Sequence, residues 1–281
     1  GLQALHLALE LGLPVGVEQL DLGLQRRDPL AALGVRGVGG RGGLQADESR
    51  ASALEALAVQ ARWLAVGLAG FARPLSLRFV SRFLFPLGAA GGMLLLIGAL
   101  QGIVAEPVSL VLPLGLPDLP FHVRLDALSA FFLALLGVAT IGISLFSAGY
   151  FRRGQGAAPG LLCFQYHLFL ASMTMVFVAD DAYLFMVAWE TMALSSYFLV
   201  TTSHKIPEIR SAGFLYLLIA HIGAIAILLS FGVMHGGGGD YTFAAMRATG
   251  LTPFWGSVAF LLALFGFGAK AGFLPLHVWL P

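Results

Sequence analysis

The stretch Ser211–Met234 reads SAGFLYLLIAHIGAIAILLSFGVM and contains no Asp, Glu, Lys or Arg. A helix needs about 20 consecutive apolar residues to cross the hydrocarbon core of a bilayer. Inside that core each backbone N–H and C=O must find its partner within the same segment, so a run of this length is expected to be helical. The stretch therefore predicts one transmembrane helix.

Five other runs in the chain have a similar length and the same shortage of charge. Only Glu190 and Lys270 interrupt them. The six predicted helices are 83–105, 127–149, 161–179, 182–202, 212–234 and 255–275. Three glycines surround Lys270 and Pro275 follows it, so we expect the last helix to be broken near Lys270. The expected fold class is all-α: a polytopic transmembrane helix bundle of about six spanning helices.

The composition fits a membrane protein and excludes several functions. Hydrophobic residues make up 58% of the 281 residues. Charged residues make up 11%, against about 25% in a typical soluble domain. A net charge of +1 provides no basic surface for nucleic acid. The single cysteine, Cys163, excludes an internal disulfide and a cysteine-based metal cluster. The sequence has no phosphate-binding loop, zinc spacing or haem motif, so we predict no cofactor and no metal site.

The charged residues divide the chain unevenly. Residues 1–82 hold sixteen of the 31 Asp, Glu, Lys and Arg residues. Residues 1–62 follow no steady hydrophobic period, and we assign residues 1–77 no fold; we interpret them as a disordered or non-native segment. A helix over 51–72 is an alternative, although Glu55 and Arg62 argue against its crossing the membrane.

Positive residues in the loops predict the orientation of the helices, because Lys and Arg accumulate on the cytoplasmic side. One side carries only Arg124 and Arg247. The other, which we predict to be cytoplasmic, carries Arg73, Arg78, Arg82, Arg152, Arg153, Lys205 and Arg210.

Glu190 is the first candidate for chemistry. It is the ninth residue of its predicted helix, which places it about 12 Å from the helix start and near the middle of the membrane. An ionised carboxylate at that depth costs at least about 2.5 kcal/mol, so it must pair with a cation or carry a proton. A purely structural ion pair is the alternative.

Lys270 is the second candidate. A lysine near a helix end can extend to the membrane surface, but broken helices recur at ion sites in transporters. A Glu190–Lys270 pair that can separate would be a two-state proton switch, with both groups charged when together and the lysine inclined to lose its proton when apart. We state this as a hypothesis.

Two histidines extend the candidate set. His221 lies near the middle of its predicted helix, where it could relay protons or be a neutral core residue bonded to another helix. His277 follows Pro275 and could extend a relay from Lys270, or lie at the membrane surface beside Trp279. Asp180 and Asp181 form the turn between two predicted helices, which is usual turn chemistry.

Two stretches resemble a known family. Leu184–Tyr197, LFMVAWETMALSSY, resembles the glutamate-bearing helix of the antiporter-like membrane subunits, and Gly266–Pro281, GFGAKAGFLPLHVWLP, resembles their lysine-bearing broken helix. These subunits occur in NADH-quinone oxidoreductase, membrane-bound hydrogenases and multisubunit cation/proton antiporters, and the resemblance is closest to hydrogenase-4 component B. Phe214–Gly223 and Arg124–Phe132 support it.

The resemblance implies a fold with two inverted repeats of helices, of which residues 78–281 match the N-terminal part. It implies that Glu190 and Lys270 move protons and that His221 and His277 match histidines of the hydrogenase-like branch. It also implies a truncated sequence, because the family's first helix is not recognisable in 1–77 and everything after Pro281 is missing.

From the resemblance we expect a proton-translocating membrane subunit of a redox-driven complex of the hydrogenase-4 or NADH-quinone oxidoreductase type, without a redox cofactor of its own. The expected partners are the lipid bilayer, other membrane subunits and a peripheral hydrogenase or dehydrogenase arm, and the expected location is the inner membrane of a bacterium or archaeon. The alternatives are a subunit of a stand-alone sodium/proton antiporter and a membrane anchor that moves no ions.

Overall fold

The computed structural model describes residues 43–151 and 157–274. Within these ranges the chain forms helices joined by short turns and one β-hairpin. The elements are α1 (Gly43–Ala69), α2 (Leu77–Val104), β1 (Val108–Leu116), β2 (Leu119–Leu125), α3 (Ala127–Tyr150), α4 (Pro159–Val178), α5 (Ala182–Val200), α6 (Pro207–His235), α7 (Phe243–Ala248) and α8 (Pro253–Ala271).

Six of these helices are long and apolar enough to cross a membrane: α2, α3, α4, α5, α6 and α8. They correspond one to one with the six predicted runs, which confirms the multi-pass membrane fold. Local sequence sets where they begin. Asp126, Asp181 and Thr252 accept a hydrogen bond from a first-turn N–H of α3, α5 and α8, and a proline opens α4, α6 and α8.

Helix α1 lies in the region to which the sequence analysis assigned no fold. Its buried residues Ala56, Val59 and Trp63 share one face, which packs against α2 and α4. The Trp63 indole N–H donates to the Gly88 carbonyl at 3.3 Å. This apolar face contains few residues, so the hydrophobic period of a helix is weak in this part of the sequence. Residues 1–42 lie outside the described part of the chain, and the division at residue 77 stays a prediction.

A β-hairpin follows α2, and the sequence analysis did not predict it. Strands β1 and β2 are antiparallel and join the bundle at the turn between α4 and α5. The Asp180 N–H donates to the His122 carbonyl at 2.9 Å, and the Asp181 carboxylate accepts from the His122 N–H at 2.6 Å. The predicted turn residues thus also hold the hairpin on the helices.

We expect the Asp181→Ala substitution to destabilise the protein. The buried Asp181 carboxylate also accepts from the Leu184 N–H at 2.6 Å, so its loss leaves two backbone donors unpaired. Each unpaired donor costs about 1–3 kcal/mol, and the midpoint of thermal unfolding in detergent should fall clearly. Asp118→Ala, at the exposed hairpin turn, is the control. Equal midpoints for the two variants would contradict this role.

A substitution at Asp180 should instead raise the thermal stability of the protein. Burial raises the pKa of the Asp180 carboxyl, and the charges of Arg124, Arg247 and His122 only partly oppose that shift. The folded state therefore binds this proton more tightly than the unfolded state, so stability falls as pH rises through the raised pKa. Asp180→Asn should unfold at a higher temperature than wild type at pH 7, and the difference should shrink towards about pH 4, near the ordinary aspartate pKa. A difference that grows on acidification would contradict this.

Candidate functional site

Glu190 and His221 meet between α5 and α6. The Glu190 carboxylate oxygen Oε2 lies 3.6 Å from His221 Nε2, and the two side chains are 38% and 51% exposed on this chain. Glu190 follows Ala182, the first residue of α5, by eight positions, or about 12 Å along the helix axis. The two groups therefore form a pair near the middle of a membrane-spanning segment.

The pair borders a cavity of about 400 Å³ between α4, α5 and α6. Polar side chains from α4 and α5 share its wall. They are Gln165, Thr191 and Ser195. A water molecule needs about 30 Å³ of liquid volume, so the space can hold several. The cavity thus places a few polar side chains near the carboxylate at membrane depth.

A second cavity, of about 290 Å³, adjoins the first. Gln165 and Phe198 line both of them. The second cavity continues to His204 and Arg210, at the end of the bundle where α6 begins. The two cavities thus lie next to each other between that end of the bundle and Glu190.

Gln165 is a site residue that the sequence analysis did not identify. It lies in a predicted helix without charges, and an uncharged amide there does not stand out as Glu190 does. Its signal in the sequence is an amide side chain within the apolar run of α4, where a partly buried amide needs a hydrogen-bonding partner such as water.

Lys270 has a different partner on α6. Its Nζ donates to the Tyr216 hydroxyl at 2.7 Å and lies 6.0 Å from the Trp189 ring centroid. Tyr216 is nine positions beyond Pro207, where α6 begins, or about 13 Å along that helix. Because Lys270 lies beside Tyr216, it sits at membrane depth rather than at the membrane surface.

Helix α8 ends directly after Lys270. Gly272 adopts a left-handed conformation with φ 75°, and its N–H bonds to the Gly268 carbonyl. Glycine adopts this conformation without steric cost. The helix therefore stops within the membrane-spanning region, next to the lysine. Pro275 and His277 lie outside the described residues.

The structure does not bring Glu190 and Lys270 into direct contact. Among the described residues, no carboxylate oxygen lies within 4 Å of Lys270 Nζ. Helix α6 supplies a partner to each group, His221 to the glutamate and Tyr216 to the lysine. The proton-transfer roles of Glu190, Lys270 and His221, and the switch hypothesis, stay predictions.

Metal binding was not expected from the sequence. Across residues 43–151 and 157–274, no three His, Cys, Asp or Glu side chains come together as metal ligands do.

Comparison with known proteins shows which family part of this chain matches. Residues 179–281, which include Glu190, His221 and Lys270, match the family described as NADH:quinone oxidoreductase/Mrp antiporter, transmembrane. This part of the chain therefore carries the domain of that family. Its similarity to hydrogenase-4 component B of Escherichia coli K12 is 42% identity over 158 residues, covering 56% of this chain and 23% of that protein.

Two further proteins are similar to this chain. Formate hydrogenlyase subunit 3 of Escherichia coli K12 is 30% identical over 193 residues, covering 69% of this chain and 28% of that protein. A chain of the archaeal membrane-bound sulfane sulfur reductase has the same fold, with a TM-score of 0.64 and 22% identity over 79% of this chain and 34% of its own. The chain thus spans about a quarter of the length of these two curated relatives.

Proposed function

We propose that this chain forms part of a proton-translocating membrane subunit of a redox-driven complex of the hydrogenase-4 or NADH-quinone oxidoreductase type, in the inner membrane of a bacterium or archaeon. One observation carries the proposal: three titratable side chains, Glu190, His221 and Lys270, lie on the adjacent helices α5, α6 and α8 at membrane depth. Such groups are costly in a bilayer and are kept there for function.

The geometry supports a sequence of proton transfers. Glu190 takes up a proton from water in the adjoining cavities, which reach the arginine-bearing end of the bundle. The His221 imidazole, 3.6 Å away, accepts or returns that proton, because imidazole changes charge near neutral pH. Lys270, beside Tyr216, holds or releases a second proton. A change in the charge of the Glu190–His221 pair alters the free energy of charging Lys270, and the reverse also holds.

The exposure of the pair supports the presence of partner subunits. Glu190 and His221 are 38% and 51% exposed on this chain, although lipid offers a charged group no partner at that depth. We propose that another membrane subunit, or another part of the same protein, covers this face. The name of one relative, hydrogenase-4 component B, favours a hydrogenase-type peripheral arm, and we place the redox cofactors there.

Proton flux through the full-length protein in liposomes tests this function. A potassium diffusion potential drives protons inward, and a trapped pH dye records them. Lys270→Ala should abolish the potential-driven flux, whereas Lys205→Ala, an exposed lysine between α5 and α6, should not change it. Equal flux in wild type and Lys270→Ala would contradict the proposed function.

A further inference from the structure

Lys270 is held by aromatic side chains from two neighbouring helices. Its Nζ lies 2.7 Å from the Tyr216 hydroxyl on α6, 5.0 Å from the centroid of the Tyr216 ring and 6.0 Å from that of Trp189 on α5. Tyr216 is 5% exposed. The ammonium group therefore has a hydroxyl oxygen and electron-rich rings around it, within the distances at which rings attract cations.

Packing fixes the positions of these rings. Trp189 stacks on Phe185 with centroids 5.3 Å apart and meets Phe267, one turn before Lys270, edge to face at 5.6 Å. The Trp189 ring thus connects α5 with α8, and it belongs to the residue next to Glu190. A shift of α8 along α5 would change the distance between Lys270 and both rings.

These partners differ from a carboxylate in one chemical respect. A carboxylate beside the lysine would favour the charged ammonium so strongly that release of its proton would be difficult. A hydroxyl accepts a hydrogen bond from the ammonium without adding a charge, and an aromatic face attracts a cation only moderately. These partners therefore favour the ammonium form less strongly than a carboxylate would.

We propose that Tyr216 and Trp189 are positioning residues that set the pH at which Lys270 gives up its transported proton. This proposal rests on the proposed function, because it assigns a role to neighbours of the same lysine. Tyr216 acts through its hydroxyl and Trp189 through its ring. Neither residue transfers a proton in this scheme.

The pH profile of proton flux distinguishes this role from a structural one. In the full-length protein in liposomes, Tyr216→Phe keeps the ring and removes only the hydroxyl. The ammonium then loses one charge-assisted hydrogen bond. The pH at which flux declines at the alkaline end of the profile (the alkaline limb) should therefore be lower than in wild type by about one pH unit. Tyr216→Glu should move the same limb to a higher pH. A structural role alone would lower flux equally at all pH values.

Trp189 offers an independent pair of variants. Trp189→Phe keeps an aromatic face and should leave the alkaline limb near its wild-type position, whereas Trp189→Leu should move it to lower pH. Tyr150→Phe, at the exposed end of α3, is the control for loss of a tyrosine hydroxyl. An unchanged limb in both Tyr216→Phe and Trp189→Leu would overturn the proposal.

The same preparation separates failure of this inference from failure of the proposed function. If Lys270→Ala abolishes flux and Tyr216→Phe leaves the pH profile unchanged, the function stands and the positioning role is wrong. If Lys270→Ala leaves flux unchanged, the lysine transports nothing, and the proposed function and this inference both fail.

Discussion

Replacement of Glu190 by glutamine is expected to reduce proton flux through the full-length protein by at least about 100-fold, the usual effect of removing a group that transfers protons. Glutamine has nearly the same shape as glutamate and can still contact His221, but it cannot carry a titratable proton. The packing of α5 against α4 and α6 should be preserved. The measurement is potential-driven acidification of liposomes that contain the protein.

The control for Glu190 is a glutamate on the neighbouring helix. Glu208 lies in the exposed first turn of α6 and lines neither of the two cavities near Glu190. Glu208→Gln removes the same charge and should retain wild-type flux. A loss of flux in both variants would indicate a general effect of charge. Retention of flux in both variants would show that Glu190 has a structural role and transfers no proton.

The second large effect is expected at the contact between α6 and α8. A Cβ on Gly266 would lie 2.6 Å from the Gly223 carbonyl oxygen and 2.5 Å from Ile227 Cγ1. The carbonyl is backbone and cannot rotate away, so Gly266→Ala must push the two helices apart. Overpacking of this kind costs about 1–3 kcal/mol. It should also draw Lys270 away from Tyr216, so both the thermal midpoint in detergent and the proton flux should fall.

The same helix provides the matched control. A Cβ on Gly256 would meet nothing within 4 Å, and alanine is the better helix former by about 1 kcal/mol. Gly256→Ala should therefore leave the midpoint and the flux unchanged or slightly raised. If the two glycine variants had the same midpoint and the same flux, close packing at Gly266 would not be what positions Lys270.

The sequence could not show which groups would be partners across helices. From the sequence, Glu190 was paired with Lys270 as a hypothesis, since each charge favours the charged form of the other. In the structure α6 presents His221 to the glutamate and Tyr216 to the lysine. Five positions along a helix correspond to a turn of about 140° beyond a full circle, so these two residues face different neighbours. Tyr216 carried no signal of this role, because a tyrosine in an apolar run is ordinary.

The sequence by itself determined the six membrane spans, because the length of an apolar run without charges sets whether a helix can cross a bilayer. It also determined the depth of Glu190, since rise per residue is constant along a helix. Only the tertiary structure decided the packing of α1, the β-hairpin, the cavities that meet at Gln165 and the aromatic partners of Lys270. The physical reason is that these features depend on how helices rotate and pack against one another, and close packing is a property of several segments together.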